Sequence, residues 1–165
     1  MLCSTFRKTL RDDVSARSAA FSLIELLVVI IILSMLGTIA VPRYSQFSAH
    51  QQVESAARRI VTDLEWARRH ANTTSTSQTV VFNTAAHTYT LSPMTHPDHP
   101  GQSYVVKLGQ DPYRTRILSA TFGGDATLVF NGYGTPDSSG SVIIAVGGYQ
   151  KTISLDGKLG RAKAQ

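Results

Sequence analysis

The longest pattern in the chain is an apolar run from Phe21 to Val41, which is interrupted only at Ser22, Glu25, Ser34, Gly37 and Thr38. At about 1.5 Å per residue, a helix of this length is roughly 30 Å long, the thickness of a bilayer's hydrocarbon core. The run therefore predicts a transmembrane helix over residues 21–42.

The helical pattern continues beyond the apolar run. Apolar side chains recur at steps of three and four, which predicts one buried stripe of an amphipathic helix over residues 43–71. The stripe consists of Val53, Ala57, Ile60, Leu64, Ala67 and Ala71. Because Pro42 removes one backbone donor, we expect a kink there rather than a break. The Asn, Thr and Ser residues at 72–77 are typical of a helix end.

From Gln78 the period changes to two, with β-branched and aromatic residues. Strands are predicted over residues 79–83, 88–92, 103–108, 116–121, 127–130, 141–146, 150–155 and 158–161. Gly147-Gly148 and Asp156-Gly157 are typical of tight turns. The predicted fold class is α+β: a long N-terminal helix, its first half transmembrane, packed by its second half on an antiparallel β domain over 78–162.

Glu25 is the only charged residue in the apolar run. An ionised carboxylate at the centre of a membrane helix costs about 2.5–3.5 kcal/mol, and the run offers no basic partner. Two interpretations leave this charge unexplained: a permanent single-pass anchor, and a secretory signal cleaved after Ala40. A third interpretation provides a partner. Cleavage between Ala20 and Phe21 creates an α-amino group about one helical turn before Glu25.

The stretch FSLIELLVVIIILSMLGTIAVPRYSQF resembles the class III signal of type IV pilins and type II secretion pseudopilins. The matching positions are Phe21, Leu23, Ile24, Glu25, Leu26 and the helix-bending Pro42. The resemblance implies that a prepilin peptidase cleaves between Ala20 and Phe21 and methylates the new Phe21 amine. Subunits then assemble into a filament, in which Glu25 pairs with an N-terminal ammonium. Ala20 departs from the glycine that the family prefers at this position.

Two further stretches are similar to the H-type pseudopilins and FimT-type minor pilins: IVTDLEWARRHANTTSTSQTVVFN and LVFNGYGTPDSSGSVIIAVGGYQKTISLDGKLGRAK. This resemblance implies a pilin-like fold. It divides the chain into a cleaved leader (1–20), a transmembrane and assembly segment (21–42) and an extracytoplasmic domain (43–165). It also implies other pseudopilins, a prepilin peptidase and an inner-membrane assembly platform as partners.

Charge predicts the orientation of the chain. The 16 Lys and Arg residues exceed the 11 Asp and Glu residues, for a net charge of +5. Four basic residues precede the apolar run, whereas Arg43 alone follows it closely, so we expect a cytoplasmic N-terminus. The expected location is the bacterial inner membrane, with a periplasmic C-terminal domain. Because Cys3 is the only cysteine, neither an intramolecular disulfide nor a Cys-based metal site is expected.

The remaining candidate chemistry is sparse. THPDHPG places His96, Asp98 and His99 within four residues, but the spacing fits no metal motif and its prolines favour an exposed loop. No catalytic constellation is found, so we expect neither an enzyme nor a cofactor or metal. Trp66 lies off the apolar stripe and has two interpretations: a contact with a neighbouring loop, or a subunit contact in a filament.

The sequence therefore supports two functions. The first is a minor pseudopilin of a type II secretion pseudopilus, which supports export of folded proteins across the outer membrane. The alternative is a FimT-like type IV minor pilin that binds DNA for uptake, with Lys158, Arg161 and Lys163 as candidate phosphate contacts. The net charge is too small to indicate nucleic-acid binding by itself.

Overall fold

One α-helix, α1 (Leu23–Thr74), dominates the N-terminal half of the chain. The computed structural model describes residues 21–96 and 99–165. For residues 38–46 it describes the backbone alone. The chain divides into two compact units, Met1–Val41 and Pro42–Gln165. Since the predicted leader over 1–20 lies outside the described residues, its cleavage stays a prediction.

In the first unit, the described residues from Leu23 onward form the N-terminal part of α1. The Ser22 carbonyl accepts hydrogen bonds from the backbone N–H groups of Glu25 and Leu26, at 3.0 and 3.1 Å. All side chains over 21–37 are exposed. Among the described residues, no helix has both the length and the apolar character that crossing a bilayer requires. The transmembrane segment over 21–42 therefore stays a prediction.

The helix continues through Pro42, as expected for a kink rather than a break, and the kink itself stays a prediction. It ends at Thr74, three residues beyond the predicted bound of 71 and within the run at 72–77 that was predicted to end it. The Thr73 and Thr74 hydroxyls donate to the carbonyls of Arg69 and His70, at 2.9 and 2.7 Å. Both hydroxyls therefore find an acceptor four residues earlier in the same helix. Ser75, with φ 52°, then ends it.

Within the described residues, eight strands form two four-stranded antiparallel sheets, with the orders β3-β2-β1-β5 (sheet A) and β4-β6-β7-β8 (sheet B). Their bounds are β1 (Gln78–Asn83), β2 (Thr88–His96), β3 (His99–Lys107), β4 (Arg116–Phe122), β5 (Thr127–Phe130), β6 (Gly140–Val146), β7 (Tyr149–Leu155) and β8 (Ala162–Ala164). The predicted Gly147-Gly148 turn is confirmed, because Val146 pairs with Tyr149 across it.

Two strand predictions were wrong in position. The β2–β3 hairpin is longer than predicted, because pairing resumes at Thr95 and at His96↔His99 after a register shift. Met94, only 5% exposed, anchors this extension in the core. The last strand lies over Ala162–Ala164 rather than 158–161. Residues 158–160 instead complete the turn that follows Asp156.

The core lies within the second unit. Every residue of the predicted helical stripe is at most 2% exposed, which confirms the periodicity argument. The stripe packs with the inward-facing side chains of both sheets, and Phe82 of sheet A stacks on Phe122 of sheet B at a ring distance of 5.6 Å. This core fixes the second half of α1 against the strands. Ala162 and Ala164 of β8 also pack against it, and β8 pairs with β7 in sheet B.

Candidate functional site

The predicted assembly segment is an exposed apolar helix surface. Phe21 is 79% exposed and Leu23 81% exposed. Glu25 lies in the first turn of α1, where the partial positive charge of a helix N-terminus favours a carboxylate. The residues that prepilin processing needs are only partly described, because Ala20 lies outside the described residues. The pairing of Glu25 with an amine therefore stays a prediction.

The THPDHPG stretch is strand rather than loop where the structure describes it. His96 and His99 are cross-strand partners at the end of the β2–β3 hairpin, with ring centroids 5.1 Å apart. His96 also stacks on Tyr104 at 5.6 Å. Pro97 and Asp98 lie outside the described residues. Among the residues that are described, no group of three or more His, Cys, Asp or Glu side chains is placed to hold a metal.

The C-terminal basic segment begins with a turn built on Asp156. The Asp156 carboxylate accepts hydrogen bonds from the backbone N–H groups of Lys158 and Leu159, at 2.7 and 2.9 Å. These two bonds hold the pKa of Asp156 below its usual value. Gly160, with φ 62°, completes the turn and its N–H donates to the Asp156 carbonyl. The turn fixes the direction in which the chain enters β8.

Beyond this turn, two of the three predicted cations reach a common groove. We call the hollow between β8 and the solvent-facing side of α1 the basic groove. It is lined by Val61, Glu65, Arg68, Arg69, Arg161, Ala162 and Lys163. Lys158 is not among the residues that line it. Two helix arginines that the sequence analysis did not single out, Arg68 and Arg69, also line it, and a DNA contact by Arg161 and Lys163 stays a prediction.

The one acidic side chain in the basic groove is held by helix arginines. The Glu65 carboxylate lies 2.6 Å from Arg68 Nη2 and 3.0 Å from Arg69 Nε. The hydrogen bond from Arg68 is the main reason that the pKa of Glu65 is lowered. Within the described part of the chain, neither Arg161 nor Lys163 forms an ion pair. The groove therefore carries a net positive charge.

Trp66 extends this groove along the helix. It lies half-buried beside Val61 and Arg69, in a hollow that adjoins the basic groove. Its ring meets Tyr104 edge-on at 5.2 Å, and His70 at 6.5 Å. Trp66 therefore has a flank contact within the subunit, but with strand β3 rather than with a loop, and the alternative of a subunit contact stays a prediction. The remaining exposed part of the indole stays available at the groove.

Sequence reasoning missed a buried polar cluster between α1 and sheet A. Asp63, only 4% exposed, accepts hydrogen bonds from Arg59 Nε at 3.0 Å, from Tyr104 at 3.2 Å and from Tyr89. Arg59 also donates to the Tyr104 hydroxyl. A sequence signal existed, because Asp63 lies three residues after Ile60 and four before Ala67. That spacing places a carboxylate on the buried stripe, where a partner is required.

Comparisons with known proteins match this architecture. Residues 56–158 match the family model described as Type II transport protein GspH, and residues 15–41 match the one described as Prokaryotic N-terminal methylation motif. The crystal structure of the type IV minor pilin FimU from Pseudomonas aeruginosa is similar, with a TM-score of 0.53 at 13% identity, over 70% of this chain and 90% of that one. At this identity the likeness shows the pilin-like fold alone. No curated protein matches the chain.

Proposed function

Because the chain belongs to the GspH family of type II transport proteins, we propose that it is a minor pseudopilin of a type II secretion system. The match over residues 56–158 carries this proposal. It covers residues 56–74 of α1 and strands β1 to β7, which together contribute most of the core of the second unit. In this role the protein supports export of folded proteins across the outer membrane.

The proposed role is assembly, not catalysis. The apolar side chains over 21–37 are exposed, and an apolar surface of this length requires lipid or another apolar surface to cover it. Before assembly, this segment anchors the protein in the inner membrane, with its second unit in the periplasm. Within the filament, the same segment packs against the corresponding helices of other pseudopilins on the assembly platform.

Glu25 has a specific part in this assembly. A prepilin peptidase cuts between Ala20 and Phe21 and methylates the Phe21 amine, which remains a cation. A buried carboxylate is costly unless it is paired. The Phe21 ammonium of the same or a neighbouring subunit provides the pair, and only subunits in the correct axial register bring the two groups together. The match to the N-terminal methylation motif over 15–41 supports this proposal.

The test replaces Glu25 in the full chain in its own cell. We expect Glu25→Leu to leave the amount of protein in the membrane unchanged, because it makes the segment more apolar. Incorporation into the filament, measured by co-purification with other pseudopilins, should fall at least tenfold, and secretion of exoproteins should stop. Ser34→Leu is the matched control, since it adds the same side chain to the same segment without removing a charge. Normal incorporation of the Glu25→Leu protein would contradict the pairing role.

A second candidate function is DNA binding for uptake, as a FimT-like type IV minor pilin. The observation that favours it is the basic groove, in which Arg161 and Lys163 lie opposite Arg69. Salt-dependent binding of a DNA duplex by the detergent-solubilised full chain would support it. The slope of log K against log salt is negative, and each lost phosphate contact reduces its magnitude by roughly 0.9. Arg161→Ala with Lys163→Ala should therefore reduce that magnitude by about 2.

Lys107→Ala is the control for this measurement, because Lys107 is an exposed cation on β3 outside the groove. No DNA binding, together with lost exoprotein secretion when the protein is deleted, would support the secretion role. DNA binding that depends on Arg161 and Lys163, with normal secretion on deletion, would favour the uptake role.

A further inference from the structure

We propose that the basic groove binds an extended acidic segment of a different subunit of the filament, which adds as a fifth strand to the free edge of β8. The filament as the source of this partner rests on the proposed function. Three features of the structure support the surface and the mode of binding: the backbone pairing of β8, the groove beside it and the charge of that groove.

The first observation is that, in the part of the chain that the structure describes, one edge of β8 is unpaired. Sheet B has the order β4-β6-β7-β8, so only one side of β8 has a neighbour within the sheet. Thr152 and Gln165 exchange both backbone hydrogen bonds, at 3.1 and 2.8 Å, and the Asp156 N–H donates to the Arg161 carbonyl at 3.0 Å. Backbone groups alternate in direction along an antiparallel strand. The N–H and C=O groups of Ala162 and Ala164 therefore point away from β7.

The second observation is that this edge lies in a groove rather than on an open surface. Ala162 lines the basic groove, with Val61 and Arg69 of α1 on its other side. The adjoining hollow adds Trp66. A strand placed there would bond to the Ala162 and Ala164 backbone on one side and pack on Val61 and Trp66 on the other. This combination of main-chain pairing and side-chain pockets is how sheets recognise added strands.

The third observation is the charge of the groove. Arg161 and Lys163 both lie on the exposed face of β8 and form no ion pair within the described residues. The Glu65 carboxylate is shared by Arg68 and Arg69, and the Asp156 carboxylate is bound by two backbone N–H groups. Asp156 also attracts Lys163, but no described carboxylate forms an ion pair with Arg161 or Lys163, so carboxylates on the incoming strand would meet two cations that have no ion-pair partner in the described chain.

The partner is a different protein rather than a second copy. In residues 43–165, two acidic residues lie within five positions of each other only at Asp63 and Glu65, and both belong to α1. No extended segment of this unit therefore carries the paired carboxylates that the groove requires. The phosphates of a nucleic acid would pair with the cations, but they could not pair with the edge of β8. A phosphodiester backbone has no hydrogen-bond donor for the carbonyls of Ala162 and Ala164.

The test uses the full chain in detergent micelles and a ten-residue peptide that alternates Glu with Thr. Trp66 is the only tryptophan of the chain, so its fluorescence reports directly on the groove. We expect the peptide to change this fluorescence and to slow amide exchange at Ala162 and Ala164. A peptide of the same sequence, N-methylated on its edge-facing residues, keeps its charge but cannot pair and should bind at least tenfold more weakly. A Lys-Thr peptide should not bind.

Variants of the protein provide a second arm. Ala164→Pro removes an edge-facing N–H that β7 does not use, so it should weaken peptide binding at least tenfold. Arg161→Glu with Lys163→Glu should abolish binding, whereas Lys107→Ala should leave it unchanged. In the cell, Ala164→Pro should reduce co-purification with other pseudopilins while membrane level and processing at Phe21 stay normal.

Three results would overturn the proposal. The first is no response of Trp66, Ala162 or Ala164 at millimolar peptide. The second is equal binding of the N-methylated and unmethylated peptides, which would show an ionic patch without strand addition. The third is binding of a DNA duplex without binding of the acidic peptide. Each leaves the secretion role standing, since that role fails only if deletion of the protein leaves exoprotein secretion normal.

Discussion

The phenol of Tyr89 on β2 donates a hydrogen bond to the carboxylate of Asp63 on α1, and the two side chains are only 1% and 4% exposed. This bond joins the helix to sheet A through the core. Because Asp63 also accepts a hydrogen bond from Tyr104 on β3, both bonds are satisfied together in one rotational setting of the helix. The same setting directs Val61, Glu65 and Arg69 towards β8.

Asp63→Asn should destabilise the second unit. The amide cannot accept as many hydrogen bonds as the carboxylate, and Arg59 loses its counter-charge. We expect the free energy of unfolding to fall by about 2–3 kcal/mol, measured by urea denaturation. Asp111→Asn is the matched control, because Asp111 and Arg114 form an ion pair with side chains 73% and 65% exposed. Equal effects of the two substitutions would contradict the importance of the buried cluster.

The same cluster predicts that the free energy of unfolding falls at alkaline pH. Burial and then the Asp63 charge raise the pKa of Tyr89 well above its usual value. This stabilisation is complete below the unfolded pKa of about 10 and is lost as pH rises towards the folded pKa. The free energy of unfolding should therefore fall from about pH 10 upward, and less steeply in Tyr89→Phe. Tyr133→Phe, which alters a phenol 86% exposed, is the control and should keep the wild-type slope.

Periodicity in the sequence was enough to predict those elements whose structure follows from the regular burial of one face. The stripe from Val53 to Ala71 and the alternation along β5 to β7 follow from burial of one face, which repeats regularly. Local side chain to backbone bonds do not repeat in this way. The Thr73 and Thr74 hydroxyls bond within the last turn of α1, which ends three residues beyond the predicted 71, and the turn that the Asp156 carboxylate stabilises occupies residues predicted as the last strand.

The candidate site was predicted in part for the same reason. Arg161 and Lys163 stand near one another in the sequence, so their shared role was visible there. Arg69 lies more than ninety residues away and reaches the same groove only because the core sets the helix against sheet B. The free edge of β8 depends on strand order, which no local pattern specifies.

Gly132 allows the loop after β5 to pack on the end of α1. A Cβ atom at this position would lie 2.7 Å from the Ser75 carbonyl oxygen, which is backbone and has little room to move. Gly132→Ala should therefore lower the free energy of unfolding by about 1–3 kcal/mol, measured by thermal or urea denaturation. Gly148→Ala is the control, since a Cβ there meets nothing within 4 Å. A neutral Gly132→Ala would show that the loop moves away without cost.

Processing at Phe21 gives the last prediction. If the segment over 15–41 acts as its match to the N-terminal methylation motif implies, the mature protein begins at Phe21 and carries a methyl group on that amine. Mass spectrometry of the protein from membranes should find this terminus, and Ala20→Gly should raise the processed fraction because glycine is the smallest side chain. A bulky Ala20→Leu should leave the leader attached. Protein that retains residues 1–20 in assembled filaments would contradict the pairing of Glu25, because the Phe21 amine would then be part of a peptide bond and carry no charge.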